Sequence, residues 1–219
     1  MRTYRKNSIN TLVFDVSGVL IDDLPTVWRA NRDAYSFYGY KALSMGEFKD
    51  KFKIPIVEFH KSNGIPEEMS NAVERKYRER YPIYQHLIRV FPEVRDVLSH
   101  LKNRGFKLGI SSNIPSKFLW DHLHQFEILT FFDAITGQDD CDEQKPSPKS
   151  ILTTLSKMGS NPEMSAYIGD MEEDMIAGKR AGVYTIAVDR REAYQPIRRL
   201  KIHNPDLIIN NLNDLLIIV

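Results

Sequence analysis

The chain has 219 residues, 42% of them hydrophobic, and 30 Lys+Arg against 29 Asp+Glu give a formal net charge of +1. That apolar fraction excludes disorder over most of the length, and the balanced charge lacks the cationic excess that draws a protein to nucleic acid. The single cysteine, Cys141, excludes an intramolecular disulfide and a Cys-based zinc site and fits a reducing cytoplasm.

The start, MRTYRKNSIN, is polar and basic, and no apolar run follows of the length a signal peptide or membrane helix requires. A cytoplasmic protein without a membrane partner is expected. Thr11 to Asp15 is the first short apolar, β-rich run, and it continues as Asp15-Val16-Ser17-Gly18-Val19-Leu20. About seventy residues without a strand pattern come next, too many for a loop. They read as helices. Pro25 opens one that carries Val27, Trp28, Ala34 and Tyr35; Ser44 and Glu47 have capping-box spacing; Pro66 opens a third with Met69, Val73 and Tyr77. A helical domain inserted over residues 22–90 is expected, within a core made of residues 1–21 and 91–219.

Beyond it, Pro92 to Arg104 places Val94, Val97, Leu98 and Leu101 on one helical stripe, with Pro92 at a first-turn position and Gly105 as the stop. A second β-rich run, Phe106 to Ser111, leads into Ser112-Asn113, and further runs cover Phe132 to Thr136, Ala166 to Gly169, Val183 to Val188 and Asp206 to Ile209. Helical segments Pro148 to Met158 and Glu172 to Ala181, the latter closed by Gly182, alternate with them. Short apolar strands alternating with helices predict an α/β core: a doubly wound, parallel, Rossmann-like sheet covered on both faces. His122 and His124, two apart, fall on different helix faces and form no metal-ligand pair.

Such sheets bind ligands at the carboxyl ends of their strands. Asp15 there is a nucleophile, a metal ligand or a cap on the following turn, and Gly18 permits the tight turn that a phosphate pocket needs. Ser112 and Asn113 hold an anionic oxygen or cap a helix. Lys145, in Lys145-Pro146-Ser147-Pro148, is an ammonium of fixed direction or a plain surface lysine. Asp170 and Asp174 are four apart and meet on one face of a first helical turn, beside the field of Glu172 and Glu173. Crowded carboxylates of this kind suit Mg²⁺ or simply favour the positive end of the helix dipole.

In order, Asp-x-x-Gly at Asp15, Ser112-Asn113, Lys145-Pro146 and Gly-Asp-x-x-x-Asp at Asp170 and Asp174 resemble the four motifs of the haloacid dehalogenase superfamily, from about Thr11 to Val188, including the insertion point of its helical-cap subgroup. The resemblance implies a phosphatase-like hydrolase acting on a small phosphorylated metabolite, as a monomer or homodimer. It casts Asp15 as the nucleophile that forms an aspartyl-phosphate, Ser112 as a hydrogen-bond donor to the phosphoryl group and Lys145 as its counter-charge. Ser17, Gly18 and Asn113 would line the substrate. Mg²⁺ would be held by Asp15, the backbone carbonyl of Ser17 and Asp170, with Asp174 in support.

Residue 17 departs from the family pattern. Most family phosphatases have a second Asp there, to protonate the leaving oxygen and then activate water. A serine hydroxyl is far too weak an acid for that, and such assistance is typically worth about 10² to 10⁴ in rate. Three alternatives follow: a phosphatase confined to good leaving groups; a dehalogenase or phosphonatase-type hydrolase, the latter needing a cap lysine among Lys41, Lys49, Lys51, Lys53 and Lys61; or a phosphometabolite-binding or regulatory protein. Lys51, Lys53, His60 and Lys61 are the candidate cap contacts for an anion, or a solvated face.

Overall fold

In the computed structural model, which describes residues 9–218, the expected apolar runs become the strands of a six-stranded parallel sheet. The polar, basic start of the chain falls largely on residues 1–8, outside the described residues. In chain order the strands are β1 (Thr11–Phe14), β2 (Ile21–Asp22), β3 (Arg89–Val90), β4 (Lys107–Ser111), β5 (Ala134–Thr136), β6 (Ser165–Gly169), β7 (Tyr184–Val188) and β8 (Leu207–Ile209). The main sheet runs β5-β4-β1-β6-β7-β8, while β2 and β3 form a separate antiparallel pair, Ile21 opposite Val90 and Asp22 opposite Arg89.

The helices are α1 (Leu24–Phe37), α2 (Met45–Lys51), α3 (Ile56–Ser62), α4 (Glu67–Tyr84), α5 (Val94–Asn103), α6 (Ser116–Gln125), α7 (Lys149–Lys157), α8 (Glu172–Ala181), α9 (Ile197–Lys201) and α10 (Leu215–Ile218). Among the described residues no helix is long and apolar enough to cross a membrane.

Because side chains alternate across a strand, β1 feeds two layers at once. Leu12 and Phe14 pack with Val94, Val97, Leu98 and Leu101 of α5, while Val13 joins Ile151 and Leu155 of α7 on the opposite face. All three β1 residues are fully buried, which is why this strand shows no polar alternation in the sequence.

The helices α1 to α4 lie between the two short antiparallel strands and bury their own cluster, built on Tyr35, Phe48, Phe52 and Phe59. The rings of Phe48 and Phe52 stack at 4.8 Å, and both meet Phe59 edge-on. The capping box forms as expected: the Ser44 side chain accepts from the Glu47 N–H and Glu47 accepts from the Ser44 N–H. Pro92 lies one residue ahead of the N-cap Glu93, outside the first turn of α5. The short helices α3 and α9 have no counterpart in the expected pattern, because seven and five residues show too little period to be read.

Candidate active site

The expected residues converge at the carboxyl edge of β1, β4 and β6. β1 ends at Phe14, but the Asp15 N–H still donates to the Ile168 carbonyl at 2.8 Å, so the ladder holds Asp15 at the rim. A turn then folds back: the Val16 carbonyl accepts from the N–H of Leu20 and Ile21, and the Gly18 N–H donates to Ile21. Gly18 adopts φ +71°, and a Cβ there would lie 2.1 Å from Asp170 Oδ2. Backbone conformation and space therefore both require glycine where the β1 turn approaches Asp170.

β4 delivers Ser112, whose N–H donates to Thr136 and whose Oγ accepts from the Ile114 N–H. Neither it nor Asn113 caps α6, whose N-cap is Pro115. The Asn113 side-chain carbonyl instead accepts from the Lys145 N–H at 3.1 Å, and the Lys145 side chain turns inward with only 3% exposure. Its Nζ lies 2.9 Å from Asp15 Oδ1, 2.7 Å from Asp174 Oδ1 and 2.7 Å from the Tyr167 hydroxyl.

Asp170 and Asp174 meet, though not on one face of a helical turn. Asp170 precedes the N-cap Met171, and Asp174 in the first turn reaches back, its Oδ2 accepting from the N–H of both Asp170 and Met171. These are the free donors at a helix start, which an acidic side chain satisfies. Nor do Glu172 and Glu173 simply add to the field. Glu172 pairs with Arg199, and Glu173 accepts from the Ile54 N–H and from the Gln195 amide.

Electrostatics follow from burial. Asp15 is pushed up to about 6 because burial disfavours its charge, with Lys145 pulling the other way and Asp174 adding to the rise. Asp170 is raised well above the ordinary carboxylate range by burial, then by Asp174 and Asp15. Burial opposes the charge of Lys145 as well, but Asp15 and Asp174 outweigh it and hold the ammonium well above its usual range.

One carboxylate oxygen each of Asp15, Asp170 and Asp174 lies within 4.8 Å of the others. Asp170 Oδ1 is buried without a hydrogen-bond partner, and a single ammonium faces three carboxylates. A hard divalent cation fits this donor set: it would satisfy the orphaned oxygen and offset the excess negative charge. Both oxygens of Asp174 are already engaged, Oδ1 by Lys145 and Tyr167 and Oδ2 by the two backbone donors. Asp15 and Asp170 are thus the side chains with capacity to spare.

Several residues at the site escaped the sequence reading. Ser17 Oγ donates to Asp23 Oδ2 at 2.7 Å, and the Tyr194 hydroxyl donates to Asp23 Oδ1 at 2.9 Å. Burial pushes Asp23 up to about 7, against the pull of those two hydrogen bonds. The Tyr194 N–H donates to Asp170 Oδ2. Asp23 stands six residues after Ser17 at a helix start, where an acid reads as a cap. Tyr194 lies in a loop with no periodic signal. Of the candidate cap residues, His60 is buried against Ser70 and the Tyr35 ring, Lys51 binds Asn63, and Lys61 pairs with Glu58 and Glu67. Lys49 donates to the Arg191 carbonyl. Tyr77 and Tyr81 pack ring against ring at 5.8 Å, and the Tyr81 hydroxyl crosses to His122 Nε2.

A family model described as haloacid dehalogenase-like hydrolase matches residues 12–188. The pyrophosphatase PpaX of Oceanobacillus iheyensis is 33% identical over 215 residues, 97% of each chain. Phosphoglycolate phosphatase 1 of Pseudomonas aeruginosa is 28% identical over 213 residues, 94% of this chain and 78% of its own. A haloacid dehalogenase-like family hydrolase of Streptococcus pneumoniae has the same fold, with a TM-score of 0.82 at 21% identity over 96% of this chain and 98% of its own.

Proposed function

The chain belongs to the haloacid dehalogenase-like hydrolase family, and from that premise we propose a Mg²⁺-dependent phosphatase that hydrolyses a small phosphorylated metabolite through an aspartyl-phosphate on Asp15. One observation carries this reading: the buried carboxylates of Asp15 and Asp170 meet beside the ammonium of Lys145, with an Asp170 oxygen left unpartnered.

Phosphoryl transfer asks for an in-line nucleophile and positive charge around the equatorial oxygens. An Asp15 carboxylate oxygen attacks phosphorus, the bond to the leaving oxygen breaks on the far side, and water then hydrolyses the acyl phosphate. Lys145 favours the ionised form of Asp15 and draws a phosphoryl oxygen. Asp174, engaged on both oxygens, fixes the direction of that ammonium. The Ser112 hydroxyl donates to the transferring group, and Asn113, its carbonyl taken by the Lys145 N–H, has its amide donors to offer. The side chains of Asp15 and Asp170 and the Ser17 carbonyl would hold Mg²⁺, which would supply further positive charge to the phosphoryl oxygens. Ser17 stands where the family's second carboxyl is expected. The helical block of residues 22–90 acts as a cap that excludes water. The names of the relatives, a pyrophosphatase and a phosphoglycolate phosphatase, support a small anionic substrate.

The test is phosphate release from p-nitrophenyl phosphate, acetyl phosphate, glucose 1-phosphate and glycerol phosphate, with and without Mg²⁺, for wild type beside Asp15→Asn. Release that needs Mg²⁺ and vanishes in the variant is expected. Release that survives in folded Asp15→Asn, or none from folded wild type, overturns the reading.

A further inference from the structure

We propose that Asp23, acting through the hydroxyl of Ser17, provides the carboxyl that serves the leaving-group oxygen, so that two residues together replace the one acid missing at position 17; this rests on the phosphatase reading above. Asp23 is the N-cap residue of α1, yet its side chain makes no capping hydrogen bond. Its two oxygens are spent elsewhere, on Ser17 Oγ at 2.7 Å and on the Tyr194 hydroxyl at 2.9 Å, and the residue is only 2% exposed. A helix-capping acid would sit at the surface with its oxygens on the first-turn N–H groups. Burying a carboxyl is costly unless it is hydrogen-bonded, and both hydrogen bonds that compensate Asp23 come from residues of the site, one of them the serine two residues from the nucleophile.

Tyr194 ties the arrangement to the rest of the site. Its hydroxyl donates to Asp23 while its N–H donates to Asp170, so one residue sets the position of both acids. The neighbouring Asp22 is different: half-buried on the antiparallel pair, it holds neither Ser17 nor Tyr194.

The proton count closes without a further reactant. With Asp23 protonated, the 2.7 Å contact to Ser17 reverses and the carboxyl donates to Ser17 Oγ, freeing the Ser17 hydroxyl proton; as the bond from phosphorus to the leaving oxygen breaks, that proton passes to the leaving oxygen and the Asp23 carboxyl proton passes to Ser17 Oγ. Asp23 is then a carboxylate that accepts from Tyr194. In the second half, water attacks the phosphorus of the aspartyl-phosphate and gives a proton to Ser17 Oγ, whose own proton returns to Asp23. Asp15 leaves as carboxylate with the bond electrons, and Ser17 is unchanged over the cycle. A serine too weak to act as the acid alone suffices as a relay. Asp23 does not touch the substrate and is a positioning and relay residue.

The experiment compares kcat/KM on glycerol phosphate, an alkyl ester, with kcat/KM on p-nitrophenyl phosphate, whose leaving group needs little protonation. Asp23→Asn and Ser17→Ala are each expected to lower the ratio of the alkyl to the aryl value about 10²-fold or more, whatever loss the two esters share. The reciprocal exchange, Ser17→Asp with Asp23→Ser, should recover most of the alkyl loss by putting the acid back in one residue. Circular dichroism checks each fold, and Ser17→Ala cuts the same link without altering the buried acid if Asp23→Asn does not fold. Equal losses on both esters, or alkyl turnover untouched by both single variants, overturn the proposal and leave the phosphatase reading intact. Absence of Asp15-dependent release by wild type overturns both.

Discussion

The sheet edge and the block of helices α1 to α4, the proposed cap, are held together by different physics. At the edge, Asp15, Lys145, Asp170 and Asp174 are all at most 5% exposed, so each charge depends on the others and on backbone donors for its solvation. In the cap the interior is aromatic, with Tyr35, Phe48 and Phe59 fully buried, and its ion pairs, such as Lys41–Glu47 and Lys61–Glu58, lie on the surface, where they contribute little. A buried charge accepts few substitutes, whereas an apolar interior accepts many residues of similar volume. The edge is consequently specific in residue type and spacing, and the cap only in its apolar pattern. The two regions meet along a polar seam, where Glu173 takes the Ile54 N–H, the Gln195 amide donates to the Phe52 carbonyl, and Arg199 donates to Phe52 and Asp50 carbonyls, and again where Tyr81 reaches His122.

The contrast can be broken most strongly at Phe59. Its ring is fully buried against Phe48, Phe52 and Tyr35, so Phe59→Ala should cost about 3–5 kcal/mol in urea unfolding. A loss below about 1 kcal/mol would show that the rings do not hold the cap.

His60 is the next largest. Burial lowers its imidazole from 6.5 to about 4, which corresponds to roughly 3 kcal/mol of linkage. The folded value is below the unfolded one, so this stability is complete above about pH 6.5 and is lost as the pH falls towards 4. The buried carboxyls Asp15, Asp23 and Asp170 are raised and act in the opposite sense, losing stability as the pH rises. The difference between wild type and His60→Gln isolates the imidazole: wild type should lose its advantage between pH 6.5 and 4, and parallel profiles would contradict a neutral buried His60.

The smallest effect sharpens the other side of the comparison. Millimolar Mg²⁺ should raise the melting temperature, by a stabilisation of about 2.7 kcal/mol at a hundredfold excess over Kd. Asp170→Asn should abolish the shift, since it removes the carboxylate with the orphaned oxygen. An equal shift in that variant would remove Asp170 from the cation site.

How much of this was legible varies with the element. All six strands of the parallel sheet were readable as short apolar runs, continuous where burial covers both faces as in β1 and β6 and still apolar at the edge strand β8, where Ile208 is exposed, and α8 was readable through its acidic first turn and its closing Gly182. Asp15, Ser112 and Asp170 stood out through their positions at the ends of those runs, and Lys145 through the prolines that follow it in the loop before α7. Asp23 did not, because an acid before Leu24-Pro25 has a commoner use as a cap, and nothing in the spacing says that its oxygens turn towards Ser17. Tyr167 was hidden as one more apolar strand residue, although its hydroxyl donates to the Ser111 carbonyl and meets Lys145.

By itself the sequence determined the strand and helix alternation, the insertion of a helical block after β1, and the chemical type of the charged residues at the sheet edge. These are local quantities: periodicity, turn residues and spacing act within a few residues along the chain. Only the tertiary structure decided which charges face one another, that Asp174 braces Lys145 while Asp170 keeps a free oxygen, and that Asp23 and Tyr194 stand behind Ser17. Those pairings join residues 171 and 29 positions apart, as in Tyr194–Asp23 and Lys145–Asp174. They are set by how strands stack and where a distant loop closes, and no local pattern carries that information.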